Sequence, residues 1–209
     1  MKSISLSKPI NICGRRIKNR IVVPPMSDFG TVAPDGLVHQ SHIDRYEAYA
    51  KGGAGLIIIE AGSVLRMPEN RDTLCLENDD CIPGIKSIAD IIHHYSAVTL
   101  VQIMLTGLET MEEKEISEIS RDDFLRYKEA FISAAIRCQK AGADIIEVSS
   151  GIARYSNIPN NFLYNSKIYA ASLVKNHVDI PVICVGNIFT GNIGKSIIDN
   201  EYADMIAVG

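Results

Sequence analysis

GGAGLIIIEAG at Gly52–Gly62, KAGADIIEVSSG at Lys140–Gly151 and EYADMIAVG at Glu201–Gly209 are three renderings of one phrase. In each, a turn of small residues ends a helix-like stretch, an apolar run follows without alternation, and Gly or Ser closes it. A strand buried on both faces needs such a run, and a turn rich in Gly and Ala is how a helix gives way to it. The phrase marks the helix-to-strand junction of a repeated βα unit.

Working outward from these junctions, the first twenty residues hold two short apolar stretches, Ile10–Cys13 and Arg16–Ile17, parted by Gly14, a pattern that predicts a small hairpin capping one end of the domain. Ile21–Val23 is a β-branched run stopped by Pro24 and Pro25, which cannot continue a central ladder. Ser41 with Asp44 reads as a capping box opening a helix that runs to Gly52 and Gly53, and strand two is Leu56–Glu60. Pro83 suits a first helical turn, Ile85, Ile88, Ala89 and Ile92 give that helix an apolar stripe, and Val98–Met104 is strand three.

Ser120 and Asp123 form a second capping box before a long helix whose buried face carries Phe124, Tyr127, Phe131, Ala134, Ala135 and Cys138. Strand four is Ile145–Val148, followed by a polar loop over Arg154–Asn161. A helix through Ile168, Ala171 and Val174 leads past Pro181 to strand five, Val182–Val185. Thr190 caps a short helix and strand six is Met205–Val208. Strands and helices alternating at this spacing imply right-handed crossovers and a mainly parallel α/β sheet. No GxGxxG follows the first strand and no Walker A sequence occurs, so a (β/α) barrel is favoured over an open doubly wound sheet.

The 209 residues and 46% hydrophobic content suffice for one sizeable core. A formal charge of −4 without a long basic block argues against a nucleic-acid partner. The N-terminus lacks an apolar signal segment and no apolar run reaches the roughly 18–20 residues of a membrane span, so a cytoplasmic location without membrane partner is expected. Five scattered cysteines without a CxxC pair suggest buried free thiols rather than disulfides or a metal site.

In folds of this kind function sits at the C-terminal ends of the strands. There lie Pro24, Pro25, Met26 and Ser27, then Glu60, Ala61 and Gly62, Gln102, Ser149 and Ser150, Gly186 and Asn187, and Gly209. The set is small and mostly neutral, which suits a flat heteroaromatic ligand better than paired carboxylates or a metal. Gly186 before the helix at Thr190 offers backbone N–H groups to a phosphate, or is simply a turn glycine. Gln102, inside an apolar strand, needs either a ligand or a neighbouring backbone group. Glu60 is a general base or the partner of an Arg or Lys. His93 and His94 fall off the apolar stripe and are expected in solvent, His39 and His42 flank the loop after strand one, and the acidic run Glu109–Glu118 reads as an exposed connection.

GRRIKNRIVVPPM, then HIDRYEAYAKGGAGLIIIEAGSV, IPGIKSIADIIHH and VQIM, resemble the N-terminal half of the Old Yellow Enzyme family of FMN-dependent NADH:flavin oxidoreductases. ADIIEVSSG, IPVICVGNI and ADMIAVG resemble its final barrel strands. The resemblance implies a TIM-barrel-like fold in which residues 1–209 form a single incomplete FMN-binding domain with about six of eight βα units, the missing pair lying between VQIM and ADIIEVSSG. It implies FMN as cofactor and NAD(P)H as hydride donor to a small-molecule substrate, an activated alkene or quinone-like acceptor. Pro24, Pro25, Met26 and Ser27 would back the flavin ring, Ala61 and Gln102 would meet its polar edge, and Gly186, Asn187 and Gly209 would hold the phosphate.

The family's paired substrate-binding His residues, proton-donating Tyr and flavin-side Arg have no counterpart, so no catalytic residue is assigned. Leu105 and Leu108 stand where the family usually has His and Arg, Ser27 where one branch has Cys, and Phe29 where it has Tyr. The chain stops at Gly209, before the family's phosphate-contacting Arg and closing helix. Two alternatives follow: a non-catalytic flavin- or phosphate-binding remnant, and another FMN barrel of the dihydroorotate-dehydrogenase kind. A barrel short of two strands must close with fewer, stay open with two exposed edges, or pair those edges with another chain, so self-association or marginal stability is expected.

Overall fold

The structure is a computed structural model that describes residues 5–27, 35–66, 73–105, 120–149, 158–159 and 161–208. Strands β1 (Ile10–Ile12) and β2 (Arg15–Ile17) form the expected antiparallel hairpin. Its two-residue turn is Cys13 and Gly14, both at positive φ (46° and 77°), the backbone a type I′ hairpin requires. Cys13 is thereby exposed, unlike the buried thiols of Cys81, Cys138 and Cys184 that the sequence suggested for all five.

The remaining strands are β3 (Val22–Val23), β4 (Leu56–Ser63), β5 (Leu74–Cys75), β6 (Val98–Met104), β7 (Ile145–Val148), β8 (Val182–Val185) and β9 (Met205–Ala207). They form one parallel sheet in the order β3-β4-β6-β7-β8-β9, with β5 beside the far end of β4. Helices α1 (Gln40–Lys51), α2 (Cys81–His94), α3 (Arg121–Lys140), α4 (Ser166–Lys175) and α5 (Gly191–Asp199) make the crossovers. Six strands lie on the main path, as expected, and among the described residues β3 and β9 are its two edges, so the sheet is an incomplete barrel. β5 escaped the sequence reading because two residues carry no periodicity.

Local chemistry accounts for the helix ends. Ser120 Oγ accepts the Asp123 N–H at 3.1 Å and Asp123 returns a bond to the Ser120 N–H at 3.2 Å, the reciprocal capping box foreseen for α3. Thr190 caps α5 through the Ile193 N–H, and Asn165 caps α4 through the N–H groups of Lys167 and Ile168. The first helix differs from expectation. It starts after His39, and Ser41 lies inside it, because the His42 ring accepts the His39 N–H at 3.1 Å and does the work assigned to Asp44.

Two apolar layers flank the sheet, as unalternated strands demand. Ile57, Ile59, Val101, Ile103, Ile146, Val148 and Val182 face the helices. Leu56, Val98, Leu100, Ile145 and Ile183 face the barrel interior, whose N-terminal end is sealed by Ile17 of the hairpin, 2% exposed. Asn19 ties the hairpin to the first junction by donating to Gly53 O at 2.7 Å. A Cβ on Gly55 would stand 2.5 Å from Asn19 Oδ1, so only glycine admits this close approach.

The repeated phrase also has an electrostatic purpose. Asp144 accepts the Thr99 N–H on β6 at 2.9 Å, and Asp204 accepts the Val182 N–H on β8 at 2.9 Å. Each meets the end of the helix that leads into the strand it bonds, α2 before β6 and α4 before β8: His93 Nε2 lies 2.7 Å from Asp144, and Lys175 Nζ 2.7 Å from Asp204. Arg15 of the hairpin adds a longer contact to Asp144 at 3.6 Å. His93 is therefore an ion-pairing residue and not simply solvated, while its neighbour His94 sets its ring edge-on to Tyr95.

The hydrogen bond to Asp144 raises the His93 pKa against the opposing effect of burial. Burial pushes Asp144 up, but bonds from His93 and the Thr99 N–H, with the charge of Arg15, bring it below its ordinary value. His93 thus stabilises the fold at pH below its unfolded value of about 6.5 and loses that contribution as pH rises through its raised folded value. Asp144 contributes above its unfolded value of about 3.9 and fails as pH falls through its lowered folded value. We predict that H93Q costs most near pH 5, about 0.5–1 kcal/mol for so accessible a pair, and that the deficit shrinks toward pH 8. Paired thermal melts across that range check this, and a deficit independent of pH would refute it.

Candidate functional site

Register decides which side chains meet at the C-terminal rim. Along β4 the ladder pairs Ile59 with Val101 and then Gly62 with Ile103, so Glu60 and Ala61 together stand opposite Gln102. This is a β-bulge, and it separates the two residues by task. Glu60, fully buried, pairs with Arg45 of α1, while its N–H donates to the Tyr46 hydroxyl at 2.7 Å. Of its two readings, ion pairing is the one the structure supports. Ala61 is left as a small, 6% exposed residue beside Gln102.

His42 completes the buried cluster behind the bulge. It is 1% exposed, and burial holds its pKa below the ordinary value. Since Nδ1 accepts from His39, the neutral ring carries its proton on Nε2, which has no hydrogen-bond partner among the described residues. His42 therefore stands behind the rim and not on it, a placement invisible in a sequence that only set it near the loop after the first strand.

Gln102 is paired in register with Glu147 of β7, and Glu147 in turn with Ile183 of β8. Two residues below each on the same strand face lie Leu100 and Ile145 of the interior layer, so Gln102 and Glu147 both point inward. The in-register neighbour of the Gln102 side chain on the interior face is Glu147, whose pKa burial raises. Glu147 was not among the residues singled out beforehand. Its signal was a lone charge inside the apolar run IIEV.

Beyond β8 the backbone turns through two left-handed residues, Gly186 at φ 117° and Asn187 at φ 55°. The Gly186 carbonyl accepts from Asn165 Nδ2 at 2.9 Å, tying the turn to the start of α4. A Cβ on Gly186 would come 2.6 Å from Lys167 Cδ, so the lysine stem lies directly against this glycine. Lys167 has no ion-pair partner among the described residues, and nothing in its sequence context marked it. The α5 N-terminus follows four residues later, its N–H groups available beyond the Thr190 cap.

Pro24 and Met26 are exposed after β3, and Pro25 and Ser27 half-buried. The strand ends thus gather Pro24–Ser27, Ala61, Gln102, Gly186 and Asn187 on one rim of a parallel sheet. Gly209, Ser150, Leu108 and Phe29 lie outside the described residues, as do the whole acidic run 109–118 and part of the loop 154–161. Leu105 is fully buried in the layer between sheet and helices, so it does not face the rim.

The family model described as the NADH:flavin oxidoreductase / NADH oxidase family matches residues 5–166, through β7 and short of β8. The NADPH dehydrogenase of Bacillus pumilus is 32% identical over 161 residues, covering 68% of this chain and 47% of the relative. That of Halalkalibacterium halodurans is 33% identical over 152 residues, covering 65% and 44%. The chain spans about half the length of these relatives. In three dimensions it superposes on Old Yellow Enzyme from Pichia sp. AKU4542 with a TM-score of 0.67 at 19% identity, over 86% of this chain and 59% of that one. On a 2-naphthoyl-CoA reductase it reaches 0.75 at 19% identity, over 98% and 40%. The solved structures establish the barrel fold of the whole rim, the sequence match establishes kinship for β1 to β7, and on that ground the chain belongs to the NADH:flavin oxidoreductase / NADH oxidase family.

Proposed function

We propose that the chain binds FMN across the C-terminal rim and takes part in NAD(P)H-dependent reduction of a small acceptor such as an activated alkene or quinone. Kinship over residues 5–166 carries the reading. The residues present fit the group. Ala61 leaves room beside Gln102 because the bulge sends the Glu60 side chain to α1, and Gln102 is a polar edge in an otherwise apolar layer. Gly186, where a Cβ would collide with Lys167, keeps the turn open for a phosphate. When bound, FMN supplies hydride transfer. The chain's own residues bind and orient: Pro24–Ser27 form a wall without charge, Gln102 offers hydrogen bonds, and Lys167 and the α5 N-terminus offer positive potential to the phosphate.

A second reading, flavin binding without turnover of the acceptor, is favoured by Leu105, an apolar residue fully buried between sheet and helices. Further, the two-residue β3 and three-residue β9 are edges with unpaired backbone among the described residues, which supports self-association through them.

Purified protein is expected to carry, or take up from added FMN, an absorbance band in the blue that bleaches under anaerobic NADPH. No band in either condition would end the cofactor reading, and a reduced flavin that an added enone fails to reoxidise would favour binding alone. For the phosphate end, K167A is expected to weaken FMN about threefold to tenfold while leaving riboflavin, which lacks the phosphate, unchanged in fluorescence-quenching titrations. Equal losses for both ligands, or none, would remove Lys167 from the site.

A further inference from the structure

One side chain lashes the start of α4 to the turn after β8. Asn165 Oδ1 accepts the N–H groups of Lys167 and Ile168 at 3.0 and 3.2 Å, capping the helix, while Asn165 Nδ2 donates to the Gly186 carbonyl at 2.9 Å. The partners themselves assign the two ends of the amide, since N–H groups require its oxygen and a carbonyl requires its nitrogen. Beside it, the Tyr164 hydroxyl donates to Ser196 Oγ of α5 at 2.7 Å, so the entry to α4 also holds the helix that follows the turn.

A cap uses only the oxygen. Serine or aspartate would serve the helix about as well, so capping alone does not call for an amide. The turn does. Gly186 and Asn187 are both left-handed, and Asn187, at φ 55° with a side chain, keeps such a backbone only where its surroundings fix it. The Gly186 carbonyl belongs to the peptide that joins these two residues. Peptides are planar, so a bond that grips the carbonyl also sets the direction of the Asn187 N–H. The same amide orders the first turn of α4, from which the Lys167 stem lies against Gly186.

Resting on the flavin reading above, we propose that Asn165 is a positioning residue for the anionic end of the ligand: one amide holds both the Gly186–Asn187 peptide and the helical turn that carries Lys167. The backbone N–H and the ammonium group are then ordered relative to one another before a phosphate arrives, which removes an ordering cost from binding. Asn165 acts through these two groups and not by contact with the ligand.

The test is N165S, in which a hydroxyl keeps the cap, is too short to reach the Gly186 carbonyl as well, and places no charge near the phosphate. FMN affinity is expected to fall about tenfold, the equivalent of about 1.4 kcal/mol, while riboflavin, which lacks the phosphate, binds as it does to the wild type. Equal losses for the two ligands, the mark of a purely structural role, would overturn the proposal, as would unchanged FMN affinity. N165S/K167A is expected to lose less than the product of the two single losses, because the lysine depends on Asn165 for its place; losses that multiply would refute that dependence. If N165S does not fold, the unsubstituted protein with FMN bound decides: the Asn165 side-chain NH2 protons should exchange slowly in nitrogen-edited NMR, and exchange as fast as that of free asparagine would refute the tether. Wild-type protein that takes up neither FMN nor riboflavin fails differently, since it removes the flavin reading and this inference together, whereas the other failures leave a flavin-binding protein.

Discussion

The parallel register of the sheet is what the rest of the structure depends on, and two aspartates hold it. Asp144 and Asp204 each bond backbone at the start of the neighbouring strand, Thr99 and Val182, and each pairs with a basic residue at the end of the helix that leads into that strand. A one-residue slip would send every interior side chain to the helix layer, so pinning the strands at their starts fixes what their ends present. In the first copy of the repeated phrase glycine replaces aspartate: the Gly55 carbonyl accepts from Val98, and Asn19 packs where a side chain would otherwise sit.

From that register follows a division of the molecule into a sealed end and a working end. Ile17 and the hairpin close the bottom of the interior, and the layers of Leu56, Val98, Leu100, Ile145 and Ile183 fill it. Toward the rim the same interior face carries Gln102 and Glu147 in register, and the backbone turns at Gly186 and Asn187. Such a rim, mostly uncharged with a left-handed turn at one end, suits a flat ring that carries one anionic group. The family to which the chain belongs is built around a group of that description.

Much of this was readable from residues alone, for identifiable reasons. The limits of β6, β7 and β8 agreed with expectation because Val98–Met104, Ile145–Val148 and Val182–Val185 are continuous apolar runs between turn signals. The caps at Ser120 and Thr190 were local chemistry between residues three apart. What local reasoning missed involves partners distant in sequence. Glu147 and Gln102 are 45 residues apart and meet only through strand pairing. Lys167 reaches Gly186 only because α4 packs beside β8. The bulge at Glu60 and Ala61 exists in no periodicity, since it is a mismatch in length between two strands.

The sequence by itself determined the βα alternation, the two-sided burial of each strand and the list of residues at the strand ends, because apolar period, turn chemistry and chain order are properties of neighbouring residues. Only the tertiary structure decided which of those residues face the rim. It turned Glu60 away to Arg45 and buried His42 behind the sheet. It also gave His93 an aspartate and set a carboxylate beside Gln102. The physical reason is that a strand's side chains choose a face by register and bulge, and register is settled between strands, not within one.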